Sequence, residues 1–293
     1  MNLLGMALAS AAAIAVACLW RPLTIADWFV RVRLCLAGLR SNRESVSDLR
    51  LHWLERPGSD PPVLLLHGLG AEAGHWFPIL PGLLSGRRLL VPSLPAHGRS
   101  GSPGAPFGVV DVARWLEEWL TRQVGSSSSV DVVGFSLGGW VALRMALSKP
   151  QRLRRLVLVS SAGLSFDPPP PRAWLMPDCL QDVRDLVNTL THHPLRLPHF
   201  VLRDLFRRIR PERRWLVESL LRGEGILDGA LAGVDTPTLV IWGAQDRLIP
   251  PHVSRTLAAR IPGARGRELS SCGHLPYWEC RRELTALLEE FLS

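Results

Sequence analysis

Lysine is almost missing from this 293-residue chain: of 34 basic residues only Lys149 is a lysine, and the rest are arginine. The formal charge of +8 would suit nucleic acid, anionic lipid or an acidic substrate. The arginines are nevertheless spread along the chain. There is no basic stripe interleaved with aromatics and no nucleic-acid motif, so nucleic acid is set aside as a partner. Cysteine is scarce as well. Cys18, Cys35, Cys179, Cys272 and Cys280 are odd in number and scattered, which fits neither a disulfide framework nor a zinc site. Only a Cys272–Cys280 pair is conceivable, and the redox compartment stays open. With 47% hydrophobic and 20% charged residues, the composition excludes a disordered chain.

Charge is absent altogether from Leu3 to Trp20, which reads LLGMALASAAAIAVACLW. This is at the lower limit for a membrane-spanning helix. A cleaved secretory signal, or a lipoprotein signal ending at Cys18, would want basic residues ahead of the apolar run, and none is there. An uncleaved anchor over residues 1–22 is therefore the expectation. Residues 23–47 follow as an amphipathic helix or linker, with Thr24 to Asp27 offering N-caps and Trp28, Phe29, Val32, Leu36 and Leu39 at near-helical spacing. Such a helix either lies in the headgroup layer or packs on the globular domain. Arginines at 21, 31, 33, 40 and 43 favour the cytoplasmic face of a bacterial inner membrane.

From residue 48 short apolar runs alternate with amphipathic segments. Leu49–Leu54, Val63–Leu66, Arg88–Val91, Val130–Val133, Leu156–Val159 and Thr238–Trp242 read as strands bounded by Gly and Pro. Val110–Gln123, Leu137–Leu147, Val253–Ile261 and Arg281–Leu292 read as helices between or after them. This alternation predicts an α/β fold with a mostly parallel sheet covered on both faces. It stops between residues 163 and 234, where a run of four prolines, Pro168 to Pro171, is followed by helical patterns only. The core is thus expected over 48–162 and 235–293, with a helical cap at 163–234. The cap's arginines, among them Arg203, Arg207, Arg208, Arg213 and Arg214, are read as a solvated helix face, or else as a contact with anionic membrane.

Ser136 lies in VDVVGFSLGGW, between an apolar strand and a helix. Gly134 and Gly138 would let the two elements close tightly around an outward serine, the setting of a nucleophile elbow. A serine hydroxyl needs a base and an orienting acid. Asp246 follows a strand in IWGAQDRLIP, and His274 lies in SSCGHLPYWE before the last helix. Either alone reads equally as a turn former or a surface residue. The order Ser, Asp, His carries the weight. A Gly-rich turn, Leu66-His67-Gly68-Leu69-Gly70, follows the buried strand Val63–Leu66. Its Leu69 N–H and the N–H of Leu137 are the expected oxyanion donors. His67 and His97 are read as braces.

Together LLLHGLGAEAGHW, VPSLPAHGRSG, GFSLGGWVALRMA, VIWGAQDRLIP and GHLPYWE resemble the α/β-hydrolase superfamily over roughly residues 50–293. The resemblance implies an eight-stranded sheet with a helical cap after the sixth strand. It also implies a Ser136–His274–Asp246 triad, with no metal and no cofactor. The motif VPSLPAHGRSG usually carries aspartate where this chain has Ser93, a position outside the triad. Ser136 argues against members with an aspartate nucleophile, the haloalkane dehalogenases and epoxide hydrolases. With its apolar N-terminus and arginine-rich cap, the chain looks more loosely like membrane-associated lipases, phospholipases A and monoacylglycerol lipase relatives. The expected activity is hydrolysis of carboxylic esters, of lipids in particular. Carbon–carbon bond hydrolysis or perhydrolysis by the same triad is the alternative, and a non-catalytic binding protein on this scaffold is a third.

Overall fold

The computed structural model describes residues 21–209 and 211–293. Its centre is one eight-stranded sheet in the order β1-β2-β4-β3-β5-β6-β7-β8. The strands are β1 (Arg40–Val46), β2 (Leu49–Arg56), β3 (Ser59–Leu66), β4 (Arg87–Ser93), β5 (Val130–Phe135), β6 (Leu153–Val159), β7 (Thr238–Gly243) and β8 (Arg265–Leu269). β1 and β4 pair antiparallel to β2, and all other pairings are parallel. β5 and β7 are buried along their whole length. That explains their unbroken apolar runs, because helices cover both faces of a parallel sheet.

Two apolar clusters form, one on each face. α2 (Val109–Val124), α3 (Leu137–Ser148) and α8 (Pro251–Arg260) contribute Trp119, Val141 and Leu257 to the first. The C-terminal α10 (Arg281–Leu292) contributes Leu284 and Leu288 to the second, with Trp76 and with Leu34 of α1 (Pro22–Leu36).

The six strands expected from hydropathy all lie in the sheet. The two missed are its edges. β1 occupies residues 40–46, inside the stretch read as helix or linker, and runs in register with β2 from Arg40 opposite Glu55 to Val46 opposite Leu49. β8 pairs only with β7, and four of its five residues are exposed. An edge strand borrows its hydrogen bonds from one neighbour and needs no apolar run, so hydropathy does not mark it.

The expected membrane-spanning helix, and with it the placement at a bacterial inner membrane, is not supported. Residues 3–20 lie outside the described residues, and among those described no helix is long and apolar enough to cross a membrane. α1 has 15 residues, about 22 Å of helix against about 30 Å of hydrocarbon, and it carries Asp27, Arg31 and Arg33. The helix touches the globular domain through Leu34, while Trp28, Phe29, Val32 and Leu36 of the expected apolar stripe are exposed.

Between β6 and β7 come only helices: α4 (Arg172–Leu175), α5 (Leu180–Leu190), α6 (His199–Arg207) and α7 (Arg213–Leu221), besides one short 3-10 turn. α1 docks on α6 through charge. The buried Asp204 of α6 accepts the Leu23 N–H at the start of α1, at 3.0 Å. Arg208 donates to Asp27 at 2.7 Å and to Thr24 at 3.2 Å. The N-cap expected from Thr24 to Asp27 is therefore supplied from another helix, and Arg208 is an interhelical tie rather than part of a solvated face.

Candidate active site

Ser136 sits at the C-terminal end of β5, where the chain turns sharply into α3. Its φ of 52° is in the left-handed region, a conformation that costs a non-glycine residue about 1–3 kcal/mol and that surrounding structure must enforce. Here the enforcement is steric and hydrogen-bonded. A Cβ on Gly138 would lie 2.2 Å from Leu66 O, and one on Gly134 would lie 2.5 Å from Gly138 O. The strand and the helix approach too closely for any other residue. Ser136 N–H donates to Val159 O, while Ser136 O accepts the N–H groups of Gly139, Trp140 and Ala162.

Three residues far apart in sequence meet there. His274 Nε2 is 3.1 Å from Ser136 Oγ, and its Nδ1 is 2.7 Å from Asp246 Oδ2. All three are buried, with Ser136 only 8% exposed, Asp246 4% and His274 2%. Asp246 follows the end of β7, and its second oxygen accepts the N–H groups of Leu248 (2.9 Å) and Ile249 (3.0 Å). Those bonds fix the carboxylate before it meets the imidazole. The His274 ring rests against Phe135 with centroids 5.1 Å apart, and Phe135 is held edge-on by Tyr277. Burial pushes the Tyr277 hydroxyl well above its usual range, so it stays a neutral packing group.

The turn after β3 is braced by its histidine. His67 Nδ1 donates to Gly68 O at 2.8 Å, and Nε2 accepts the Leu94 N–H at 2.9 Å. Full burial pushes its pKa down to about 3, with Gly68's hydrogen bond working the other way. A neutral Nδ1–H imidazole at neutral pH satisfies both bonds and is unavailable as a base. His97 packs against it at a 60° tilt, 5.3 Å between centroids, and bonds Pro95 O. The Ser93 departure also has a place: its hydroxyl accepts the Ala73 N–H and meets His52 Nδ1, both at 3.2 Å. It ties β4 to β2 and to the loop after β3. Leu69 lies in this turn and Leu137 opens α3, where the helix dipole favours negative charge.

Sequence reasoning missed the residues that hold the Asp246 and His274 loops together. Gln245 N–H donates to Cys272 O, and Cys272 N–H donates back to Gln245 Oε1, both at 2.9 Å. Arg247 and Glu279 reach the helical segment. No pattern of spacing marks them, because each acts through main-chain partners of arbitrary side chain.

Comparison with known proteins agrees with this architecture. The chain is 32% identical to 2-hydroxymuconate semialdehyde hydrolase of Pseudomonas putida over 256 residues, 82% of this chain and 90% of that one. It is 24% identical to monoacylglycerol lipase abhd6-B of Xenopus laevis, covering 91% of this chain and 85% of the relative. A crystal structure of a membrane phospholipase A superposes with a TM-score of 0.82 at 24% identity, covering 100% and 98% of the two chains. The sequence model of the alpha/beta hydrolase family matches residues 63–287, and the chain, carrying the eight-stranded sheet described above, belongs to that family.

Proposed function

We propose that this hydrolase cleaves carboxylic esters, those of lipids in particular, through Ser136, His274 and Asp246. The observation that carries the reading is the continuous chain Asp246–His274–Ser136, with the serine on a strained turn at a helix N-terminus. His274 Nε2 takes the proton of Ser136 as its oxygen attacks the ester carbonyl, and Asp246 steadies the imidazolium that forms. The negative charge that develops on the carbonyl oxygen is met by the N–H groups of Leu69 and Leu137. His274 then protonates the departing alcohol and activates the water that hydrolyses the acyl-enzyme.

A lipid acyl group is favoured by the surroundings of the serine. Leu216 and Leu227 of the helical segment, with half-buried Phe166 and Trp215, join the same apolar cluster as Leu137 and Trp140, just past Ser136. Trp140 Nε1 also donates to Gly225 O, fastening that segment, which we read as a cap, over the elbow. The lipase and phospholipase names among the relatives point the same way.

A second reading, carbon–carbon bond hydrolysis of ring-cleavage products, has the 32%-identical semialdehyde hydrolase in its favour. One experiment separates the two. Purified protein is assayed with an ester series from short acyl chains to monoacylglycerol and phospholipid, and with dienoate ring-cleavage products, alongside Ser136→Ala. Ester turnover lost by about 10⁴-fold or more in Ser136→Ala is the expected result. Turnover of the dienoates alone would establish the second reading, and equal turnover by both proteins would sink the serine mechanism.

A further inference from the structure

The loops that carry the acid and the base are both fastened to one short stretch of the helical segment, the end of α5 and the turn after it. His274 N–H donates to Leu190 O at 2.8 Å. Arg247, next to Asp246, donates through Nη2 to the carbonyls of Asn188 and Thr191, the latter at 2.7 Å. Glu279, in the short helix α9 after His274 (Pro276–Glu279), closes the contact. One carboxylate oxygen accepts the His192 N–H at 2.6 Å, and the other accepts the Gly273 N–H at 2.9 Å. The approach is main chain on main chain, since a Cβ on Gly273 would lie 2.6 Å from His192 N.

We propose that Glu279 is a positioning residue for the general base, coupling the placement of His274 to that of the turn at residues 191–193. Its two oxygens grip one peptide on each side of the interface. The gripped peptide on the core side is Cys272–Gly273, and the next N–H along the chain, that of His274, is held by Leu190 O, so the two contacts together set the backbone from which the imidazole points. Both bonds are charge-assisted and therefore strong and directional. A shift of the helical segment, whether by substrate entry or product release, moves the His192 peptide, and through Glu279 it moves the base relative to Ser136 Oγ. This inference rests on the serine-hydrolase reading, because it assigns a role within that chemistry.

The test compares wild type, Glu279→Gln and Glu279→Ala by the rate of Ser136 labelling with a small fluorophosphonate and by kcat and KM on a short-chain ester. Glutamine keeps one acceptor oxygen and turns an amide NH2 toward the other N–H, so it should restore part of what alanine loses. Expected is a fall of about 10²-fold in labelling rate and kcat for Glu279→Ala, the scale of a 1 Å misplacement. Glu279→Gln should fall in between, with KM little changed. A purely structural carboxylate would lower the unfolding midpoint but leave the rate per folded molecule unchanged, and that result overturns the proposal. So does a loss confined to KM. If the alanine variant does not fold, the near-isosteric glutamine variant decides the same comparison. A wild type that the probe leaves unlabelled sinks the hydrolase reading itself, whereas labelled wild type with unaltered variants sinks only the positioning role.

Discussion

Two buried carboxylates stand at opposite ends of the same sheet, and their partners differ in kind. Asp246 lies beyond the C-terminal end of β7 and meets one imidazole, with two backbone N–H groups on its other oxygen. Asp131 lies near the N-terminal end of β5 and meets two arginines. Arg87 Nη2 reaches it at 2.8 Å, and Arg154 holds both of its oxygens, with Nε at 2.8 Å. Both arginines also donate to Leu292 O, at 2.8 and 3.1 Å, so the lower cluster locks the C-terminal helix to the sheet. A buried carboxylate held by two arginines that also grip the C-terminal helix serves cohesion. One facing a histidine aimed at a serine can steady a charge that comes and goes. Open α/β sheets gather chemistry at the carboxyl ends of their strands, and this molecule divides its buried charge accordingly.

The largest effect is expected from Asp246→Asn, which leaves the shape of the site but presents the wrong partner to Nδ1. Ester turnover should fall by about 10⁴-fold, with the unfolding midpoint little changed. A large loss of stability instead would mean that Asp246, like Asp131, is there for cohesion. The mirror experiment is Asp131→Asn. It leaves two arginines facing each other across a neutral amide and should cost about 3 kcal/mol, or roughly 10 °C of unfolding midpoint. Fluorophosphonate labelling of the folded fraction should proceed at the wild-type rate, and a slowed rate would show that the two ends are not separable.

The smallest effect concerns acid. Burial pushes His67 down to about 3 and, helped by Arg99, Arg43 and Arg31, His52 to about 4. In the unfolded chain both take up a proton near 6.5, while the folded protein refuses it until the lower values are reached. Stability should therefore be complete above about pH 6.5 and decline as pH falls toward 4. Denaturant unfolding across that range measures the slope. His67→Gln should be flatter there, at the cost of about 1 kcal/mol at neutral pH for its hydrogen bonds. An unaltered slope would show that His67 does not remain neutral in the fold.

The central strands and the order of Ser136, Asp246 and His274 were readable in the sequence, because a doubly covered strand must be apolar throughout and an elbow needs small residues at fixed offsets. The edge strands Arg40–Val46 and Arg265–Leu269 were not, since hydrogen bonding from a single neighbour leaves no hydropathy trace. Residue 53 illustrates the middle case: its apolar strand was plain, whereas the T-shaped contact of Trp53 with Trp119 was not.

Local chemistry thus determined, from the sequence alone, where a nucleophile elbow could form, which strands are interior and that the helical segment interrupts the sheet's alternation. Tertiary structure decided the rest. It brought Ser136 and His274, 138 positions apart, to 3.1 Å, turned His67 into a neutral brace, gave α1 a capping carboxylate from α6, and placed Glu279 between the His274 loop and residues 191–193. Each of these depends on distances between segments remote along the chain, and those distances are set by how the two apolar clusters close around the sheet.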